Sequence, residues 1–386
     1  MASHGRRKRQ KEFHVPEELI MSIFVNLPVK SLLRFNCVSK LWRSLIIDQD
    51  FIEQHLSNQK KKDPQLLFAT IISQSQVDLK SMYINVDRAD EGTGEVVTTG
   101  LTITLTNLPG YDLSMSHSCD GVLCFYGPET IIVCNPSTRE IRHFSYGFGW
   151  KGVPSGRSTT IGLGRDQVTK QFKIVRLFNR APGNFDECEA FTLGPDPNVS
   201  CRRLGEAPYF VISLQSPIYV NGALHWITCV MRHISEASVS FDLHAEKFRA
   251  IPHPSCLNSH SDRCYMEALM PLRNSLCLAE LTANKKMNIW IFMKDCNSSP
   301  ALNKNMGAWE MLHSIDLKFS VSEWRLGIPI AEHKNGMLST IYYGGRLQLY
   351  TPKSKMFRDV LVHCGALMPT EHFESLVPLY AEKHMG

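Results

Sequence analysis

Apolar residues near the start of the chain recur at the spacing of a helix. Leu19, Ile23 and Leu27 follow one another every four residues, and Ile20 and Phe24 widen the same stripe. The pattern predicts an amphipathic helix whose apolar side packs against other groups.

Residues that favour helix ends limit this helix and predict two more. Pro16 has the fixed φ of a first helical position, and Pro28 disfavours helical geometry in the residue before it. Ser31 and Ser39 are each suited to cap a following helix. Those two helices would carry the apolar residues Leu32, Leu33, Phe35 and Val38, and Trp42, Leu45 and Ile46.

These three predicted helices have more apolar surface than they can bury among themselves. A unit of about forty residues buries too little surface to offset the entropy of ordering its chain. We therefore expect the excess apolar side chains either to dock on another protein or to pack on the rest of this chain. Periodicity leaves both alternatives open.

From about Leu66 onward, helical spacing gives way to short apolar runs separated by turns. Three of the turns carry Asp120-Gly121, Asn221-Gly222 or Asn335-Gly336, pairs that tolerate the positive φ of a tight hairpin. Each pair precedes an apolar run, and these runs are predicted strands at 122–126, 223–227 and 337–343.

A second pattern follows each of these turns. A strand ends, a polar turn intervenes, and an apolar residue plus arginine starts a return strand, at 134–142, 241–249 and 350–358. Weaker hairpins at 161–177, 191–204 and 289–317 lie between the copies. Recurrence of a small strand unit predicts a β-propeller, whose blades close into a ring. A β-sandwich, or a pair of sandwiches, is the competing architecture, and the number of blades stays open.

The N-terminal segment resembles an F-box. The resemblance covers about residues 13–56, and its motifs are Pro16-Glu-Glu-Leu, Leu27-Pro-Val-Lys-Ser-Leu-Leu-Arg-Phe, Cys37-Val-Ser-Lys-Leu-Trp-Arg-Ser-Leu-Ile and Asp50-Phe-Ile. It implies docking on a Skp-type adaptor and, through it, on the cullin scaffold of an SCF ubiquitin ligase. The residues assigned to adaptor binding on this basis are Pro16, Leu19, Ile20, Ile23, Leu27, Pro28, Leu32, Leu33, Val38, Trp42 and Leu45.

The remainder resembles the F-box-associated domain of plant F-box proteins. The run at 162–176 resembles one motif of that family, and the runs at 119–124, 134–140, 220–226 and 290–295 fall in the family's order. Arg165 stands where the family commonly has an aromatic residue, and Gln167 where it commonly has proline. The resemblance implies a kelch-like, β-rich domain that recruits a target protein for ubiquitination.

The excess positive charge is confined to the N-terminal tail. The chain has 386 residues with 42 Lys and Arg against 37 Asp and Glu, a net charge of +5. One block of five basic residues without an acid accounts for the whole excess. Three interpretations of this block stay open: a nuclear-import signal, a phosphate-binding arm or a solvated disordered tail. The balanced remainder argues against nucleic-acid binding as the main function. The block consists of Arg6, Arg7, Lys8, Arg9 and Lys11.

The lack of a secretory signal and the distribution of the cysteines both indicate a location inside the cell. No secretory signal is visible, and no run approaches the roughly 18 apolar residues of a membrane span. The 12 cysteines are scattered through apolar runs, which is typical of reduced core thiols. We therefore expect a soluble protein of the cytoplasm, the nucleus or both.

The sequence lacks the common motifs of catalysis. The Gly162-Leu-Gly stretch has Gln167 where a dinucleotide fingerprint needs a third glycine, and a strand-like run follows it. There is no Cys-x-x-Cys, no His-Glu-x-x-His and no Gly-x-Ser-x-Gly. A radical-copper oxidase shares the kelch-type architecture, but it needs a Tyr-Cys cross-link and two histidines brought together by the fold. We expect no cofactor and no metal.

The predicted chain is α+β. It has a basic tail at 1–12, a trihelical F-box at 13–56, a linker at 57–65 and a β-propeller-like domain of kelch type at 66–386. The predicted function is that of a non-enzymatic substrate-recognition subunit of an SCF-type ubiquitin ligase. The alternative is a non-catalytic propeller scaffold that acts outside ubiquitination.

Overall fold

The fold is given by a computed structural model. It describes residues 15–73, 76–84, 96–106, 113–127, 130–145, 159–178, 187–194, 201–208, 211, 215–228, 237–254, 264–282, 284–293, 308–317, 328–334, 336, 338–342, 346–361, 367 and 369–380. The basic block at 6–11 lies outside these residues.

Four helices form the start of the described chain, one more than the sequence predicted. They are α1 (Glu17–Phe24), α2 (Val29–Phe35), α3 (Lys40–Ile47) and α4 (Gln49–Gln59), and together we call them the helical unit. The fourth helix begins because the Asp48 side chain accepts a hydrogen bond from the Phe51 backbone N–H at 3.0 Å. The Asp50-Phe-Ile run therefore lies inside α4.

One of the two predicted serine caps is confirmed and the other is wrong. Ser39 accepts a hydrogen bond from the Trp42 N–H at 3.0 Å and caps α3. Ser31 lies inside α2, because this helix begins two residues earlier, at Val29. The Val29 N–H instead donates to Glu374 Oε2 at 2.9 Å. A residue near the other end of the chain thus replaces the predicted cap.

The β-rich part is a six-bladed propeller, as six four-stranded antiparallel sheets show. This confirms the propeller prediction over the sandwich. Blade 1 contains β1 (Gln65–Ser73), β2 (Gln76–Ile84), β3 (Val96–Thr106) and β24 (Thr370–His372); blade 2 contains β4 (Ser114–Met115), β5 (Leu123–Tyr126), β6 (Thr130–Asn135) and β7 (Glu140–Ser145). Blade 3 contains β8 (Thr159–Arg165), β9 (Phe172–Phe178), β10 (Glu187–Thr192) and β11 (Arg202–Glu206); blade 4 contains β12 (Ile218–Val220), β13 (Ala223–Ile227), β14 (Ala237–Asp242) and β15 (Lys247–Pro252). Blade 5 contains β16 (Cys264–Leu272), β17 (Ser275–Thr282), β18 (Lys286–Met293) and β19 (Ala308–Asp316); blade 6 contains β20 (Ile328–Glu332), β21 (Leu338–Tyr342), β22 (Arg346–Thr351) and β23 (Met356–Leu361).

The repeated patterns of the sequence occupy alternate blades. The three strong copies fall in blades 2, 4 and 6, and the weaker hairpins supply strands of blades 3 and 5. Gly121 and Gly222 have φ values of +83° and +80°, so these turns use the left-handed geometry that the sequence predicted. The Asp120-Gly121 and Asn221-Gly222 turns precede the second strands of blades 2 and 4. Asn335 of the third pair lies outside the described residues, and Gly336 has a φ of +79°.

The ring closes because its two ends share one blade. The last strand, β24, pairs antiparallel with β1, and Leu66 stands opposite Glu371 in the register. Since strands alternate in direction within a blade, the start of β1, the end of β24 and turns such as Asp120-Gly121 lie on one face. We call it the helix face, because the helical unit precedes β1. The far face carries the connections between consecutive blades.

A short segment after β24 holds the helical unit against the propeller. We call residues 373–380 the C-terminal strap. The Asn135 side-chain amide donates to the carbonyl oxygens of Ser375 at 3.0 Å and Val377 at 2.9 Å, and the Leu379 N–H donates to Glu140 at 3.1 Å. Leu376, Val377 and Leu379 belong to one apolar core with buried residues of the helical unit and of blades 2 and 3.

Candidate functional site

The first helix exposes an apolar stripe. Leu19 and Ile23 lie one turn apart on α1, and 55% and 57% of their surfaces remain exposed. On the opposite side of the helix, Ile20 and Phe24 are buried in the core. The helix therefore buries the stripe of Ile20 and Phe24 and leaves the stripe of Leu19 and Ile23 exposed to solvent.

Exposed apolar side chains are concentrated in the helical unit. Of the eleven large ones in the described residues, five lie between positions 15 and 47. Concentrations of exposed apolar side chains are typical of interaction surfaces, so these residues are the candidate site. We call this set the helical apolar surface; its members are Val15, Leu19, Ile23, Val38 and Ile47.

The eleven predicted adaptor-binding residues divide into three groups. Buried residues belong to the core of this chain, and half-buried ones pack on that core and show one side to solvent. Only the exposed group is fully available to a partner. Exposed are Pro16, Leu19, Ile23, Pro28 and Val38; half-buried are Leu27, Leu33, Trp42 and Leu45; buried are Ile20 and Leu32.

An aromatic cluster holds the four helices together. The Phe24 ring lies 5.1 Å from Trp42, 5.6 Å from Phe35 and 6.5 Å from Phe51, measured between ring centroids. Edge-on pairs at such distances add about 0.5–1.5 kcal/mol each to the burial of the rings. Phe51 is fully buried, and sequence analysis missed its role because it missed α4.

A buried arginine joins the helical unit to the propeller. Arg165 ends β8, its side chain is 3% exposed, and its two terminal nitrogens lie 3.3 Å from Asp120 and 2.5 Å from Glu53. Lys60 also reaches Asp120, at 2.6 Å. Burial by itself lowers the pKa of Arg165, but the hydrogen bond to Glu53 and the charge of Asp120 outweigh it and raise the pKa. Helical unit and propeller are therefore bridged by paired charges.

Two cavities lie along the axis of the propeller. The outer cavity, on the helix face, has a volume of about 430 Å³ and is lined by residues after α4 such as Lys61 and by the turn at Arg273. The inner cavity, of about 280 Å³, is lined by innermost strands and extends toward the far face. Pro271, Thr370 and Glu371 line both, so the two cavities adjoin, and together we call them the central channel.

Three residues in blades 4 and 5 are arranged like a hydrolase triad. Ser238 Oγ lies 2.7 Å from His253 Nε2, and His253 Nδ1 lies 3.5 Å from a carboxylate oxygen of Glu267. Ser238 is fully buried, however, and lines neither cavity. A nucleophile must reach its substrate, and the burial of Ser238 argues against this role. The arrangement is a buried Ser238–His253 hydrogen bond, with the Glu267 carboxylate close to the other side of the imidazole.

The described part of the chain has neither a metal-binding cluster nor a membrane-spanning helix. It contains no group of three or more His, Cys, Asp or Glu side chains that could hold a metal ion. None of its helices has both the length and the apolar character needed to cross a membrane.

The sequence matches two families. Residues 58–321 match the family described as "F-box associated beta propeller domain", and residues 13–56 match the family described as "F-box-like". The first match alone covers more than half of the chain.

Curated relatives come from Arabidopsis thaliana. The chain is 24% identical to a putative F-box protein, a match that covers 96% of this chain and 89% of that protein. It is 27% identical to an F-box/LRR-repeat protein, with 94% and 82% covered, and 27% identical to a putative F-box/kelch-repeat protein, with 78% and 71% covered. Among solved structures, the β-propeller domain of Cps50 (Swd1) from Myceliophteria thermophila is 12% identical, with 77% of this chain and 89% of that chain covered and a TM-score of 0.41.

Proposed function

This chain belongs to the F-box proteins that carry an F-box associated β-propeller domain, and from that premise we propose that it is the substrate-recognition subunit of an SCF-type ubiquitin ligase. The helical apolar surface binds a Skp-type adaptor, which links the chain to a cullin scaffold. The propeller binds the target protein. The observation that carries the proposal is the exposed stripe of Leu19 and Ile23 on a helix whose other side is buried.

The exposed side chains contribute only part of the binding energy. Full burial of a large apolar side chain yields about 1.5–3 kcal/mol, so burying the exposed half of five of them yields roughly 4–7 kcal/mol. Association costs about 4–15 kcal/mol, so the five alone are not sufficient. The half-buried residues Leu27, Leu33 and Trp42, at the margin of the same surface, supply the remainder.

The proposed role requires no catalytic group on this chain. A receptor that holds a target raises the local concentration of the target's lysines near a charged conjugating enzyme. The salt bridges of Arg165 and the C-terminal strap fix the helical unit relative to the propeller. Because the helical unit occupies the helix face, we assign target binding to the far face.

The proposed compartment is the cytoplasm, the nucleus or both. The basic block at 6–11 is the proposed import signal. A fluorescent fusion whose five basic residues are replaced by Gln would lose nuclear enrichment if the signal acts; the residues are Arg6, Arg7, Lys8, Arg9 and Lys11.

Co-purification with a Skp-type adaptor tests the proposal. We expect stoichiometric binding by the wild type and its loss in the double variant Leu19→Asp, Ile23→Asp. These positions are preferable to Leu27 and Leu33. Both of those residues pack on the core, so replacing them would also destabilise the folded protein. Met356→Asp is the matched control, since Met356 is similarly exposed but lies on blade 6.

Circular dichroism and urea unfolding show whether each variant is folded. Binding by the folded double variant at wild-type strength would contradict the proposal. So would the absence of binding by soluble wild type, which would favour the propeller scaffold that acts outside ubiquitination.

A further inference from the structure

The central channel contains a carboxylic acid without a partner. Glu371 lies on β24, an innermost strand, and its side chain lines both cavities. Within the described residues, its carboxyl group makes no hydrogen bond or ion pair. The neighbouring charges are already engaged, since Lys60 pairs with Asp120 and Arg273 pairs with Glu332. Glu371 is thus free to bind something from outside.

The wall of the inner cavity is otherwise uncharged. Among its described lining residues there is no Lys or Arg, and burial lowers the pKa of His117 to about 4, so this imidazole is neutral at pH 7. Ser114, Ser116 and Ser216 also line this cavity, and their hydroxyl groups are neutral hydrogen-bonding groups. Apolar side chains form most of the rest; they include Met115, Leu269, Met270, Ile328 and Ile330.

This combination is typical of a small-ligand site. Such sites are concave and mostly apolar, and a few polar groups fix the ligand's orientation within roughly 300–1,000 Å³. In the inner cavity Glu371 is the one ionisable lining residue besides the neutral His117, and an acid in such a place selects a positively charged ligand. We propose that the central channel binds an alkylammonium group, with Glu371 as its ion-pair partner and the apolar wall around its alkyl chain.

The surrounding charges determine the route of entry. The outer cavity is lined by five Lys or Arg residues, against three acids besides Glu371, namely Asp63, Asp120 and Glu332. This entrance is therefore net positive and repels a cation that approaches from the helix face. The inner cavity is bounded by Ser114 and Ile328, which begin β4 and β20 at the far face. The ligand therefore enters from the far face.

Binding is coupled to a proton. Burial raises the pKa of Glu371 to about 8, while the charge of Lys60 lowers it and that of Glu332 raises it. Below pH 8 an incoming ammonium must displace the acid's proton, so affinity rises up to about tenfold per pH unit from 6 toward 8. Above pH 8 the affinity levels off, until the amine itself loses its proton near pH 10.

Calorimetric titration of the full chain with n-pentylamine at pH 8 tests the inference. Glu371→Gln keeps the shape of the side chain and removes its charge, so we expect pentylamine to bind at least about tenfold more weakly and n-pentanol to be unaffected. Glu310→Gln is the matched control, because Glu310 is exposed on β19 in the outer part of blade 5. Wild type should also prefer pentylamine to pentanoate.

The alkylammonium group could belong to a lysine side chain or to a free small amine. A second titration, with Nα-acetyl-lysine N-methylamide, distinguishes these two sources. Binding of both amines indicates capture of a lysine side chain, and binding of pentylamine alone indicates a free small amine; either result supports the site. No pentylamine binding by wild type, equal binding by Glu371→Gln, or an affinity that does not change between pH 6 and 8 would overturn it. The pH series uses wild type alone, so it decides the question even if the variant fails to fold.

The inference does not rest on the proposed ligase function. Glu371→Gln should keep its binding to a Skp-type adaptor, because Glu371 lies in the channel and the helical apolar surface is not altered. Failure of one experiment therefore leaves the other interpretable.

Discussion

Replacement of Gly121 by alanine should loosen the C-terminal strap. An added Cβ would lie 2.5 Å from Ser375 Cβ and 2.7 Å from the Phe373 carbonyl oxygen, and the backbone φ is +83°. These distances are too short for any real contact, and Phe373 cannot move without its chain. The strap must therefore shift away from blade 2.

The cost has two parts that a second glycine separates. A left-handed backbone costs alanine about 1–2 kcal/mol, and this part applies equally to Gly336, whose φ is +79° with no described atom within 4 Å of the added Cβ. At Gly121, displacement of the strap also weakens the two hydrogen bonds from Asn135, at about 0.5–1.5 kcal/mol each. We expect Gly121→Ala to cost about 2–5 kcal/mol and Gly336→Ala about 1–2 kcal/mol.

Urea unfolding measures the loss of folding free energy in each variant, and amide hydrogen exchange shows which part of the structure is loosened. The Val29 N–H donates to Glu374 of the strap, so its exchange should accelerate in Gly121→Ala and stay unchanged in Gly336→Ala. Equal destabilisation by the two substitutions, with the Val29 amide still protected in both, would refute the reasoning.

Two further predictions concern buried charges near the junction of helices and propeller. Arg165→Met leaves Asp120 with Lys60 as its remaining partner and should lower the free energy of unfolding by about 3 kcal/mol in urea titrations; a loss below about 1 kcal/mol would contradict this. Burial raises the pKa of Asp166, but hydrogen bonds from two backbone N–H groups of the next turn and from His244 outweigh it and bring the pKa to about 2. The resulting stability, about 2 kcal/mol, is complete above the ordinary pKa near 4 and is lost as pH falls toward 2, so Asp166→Asn should flatten acid unfolding in that window.

The number of blades could not be predicted because blades 1, 3 and 5 lack the Asn-Gly or Asp-Gly turn that precedes the second strand in blades 2, 4 and 6. In blade 5, the turn between β16 and β17 places Arg273 and Asn274 at φ values of +51° and +57°. This is left-handed hairpin geometry without glycine, so a search for Asn-Gly or Asp-Gly pairs misses it. Blade 1 could not be predicted for another reason. Its innermost strand, β24, lies about three hundred residues after its second strand, β1, so no local sequence pattern connects the two.

The sequence predicted helices in the region of the candidate site but not which side of α1 is exposed. Both stripes of α1 are apolar, and the one centred on Leu19 and Ile23 is the more regular in sequence. Contacts with α2, α3 and α4 decide which stripe is buried, and these depend on packing partners such as Phe51. Glu371 could not be predicted, because its isolation results from ring closure.

The closure of the ring also determines when the protein can first function. The helices leave the ribosome early, yet β24 and the strap are made last, and at about 5–20 residues per second the interval is roughly 15–60 seconds. Until then β1 has a free edge and the Val29 N–H lacks Glu374. A chain that stops before β24 would keep that unpaired edge, which favours pairing with other chains. Closure of the ring and capping of α2 therefore depend on segments that are translated after the rest of the propeller.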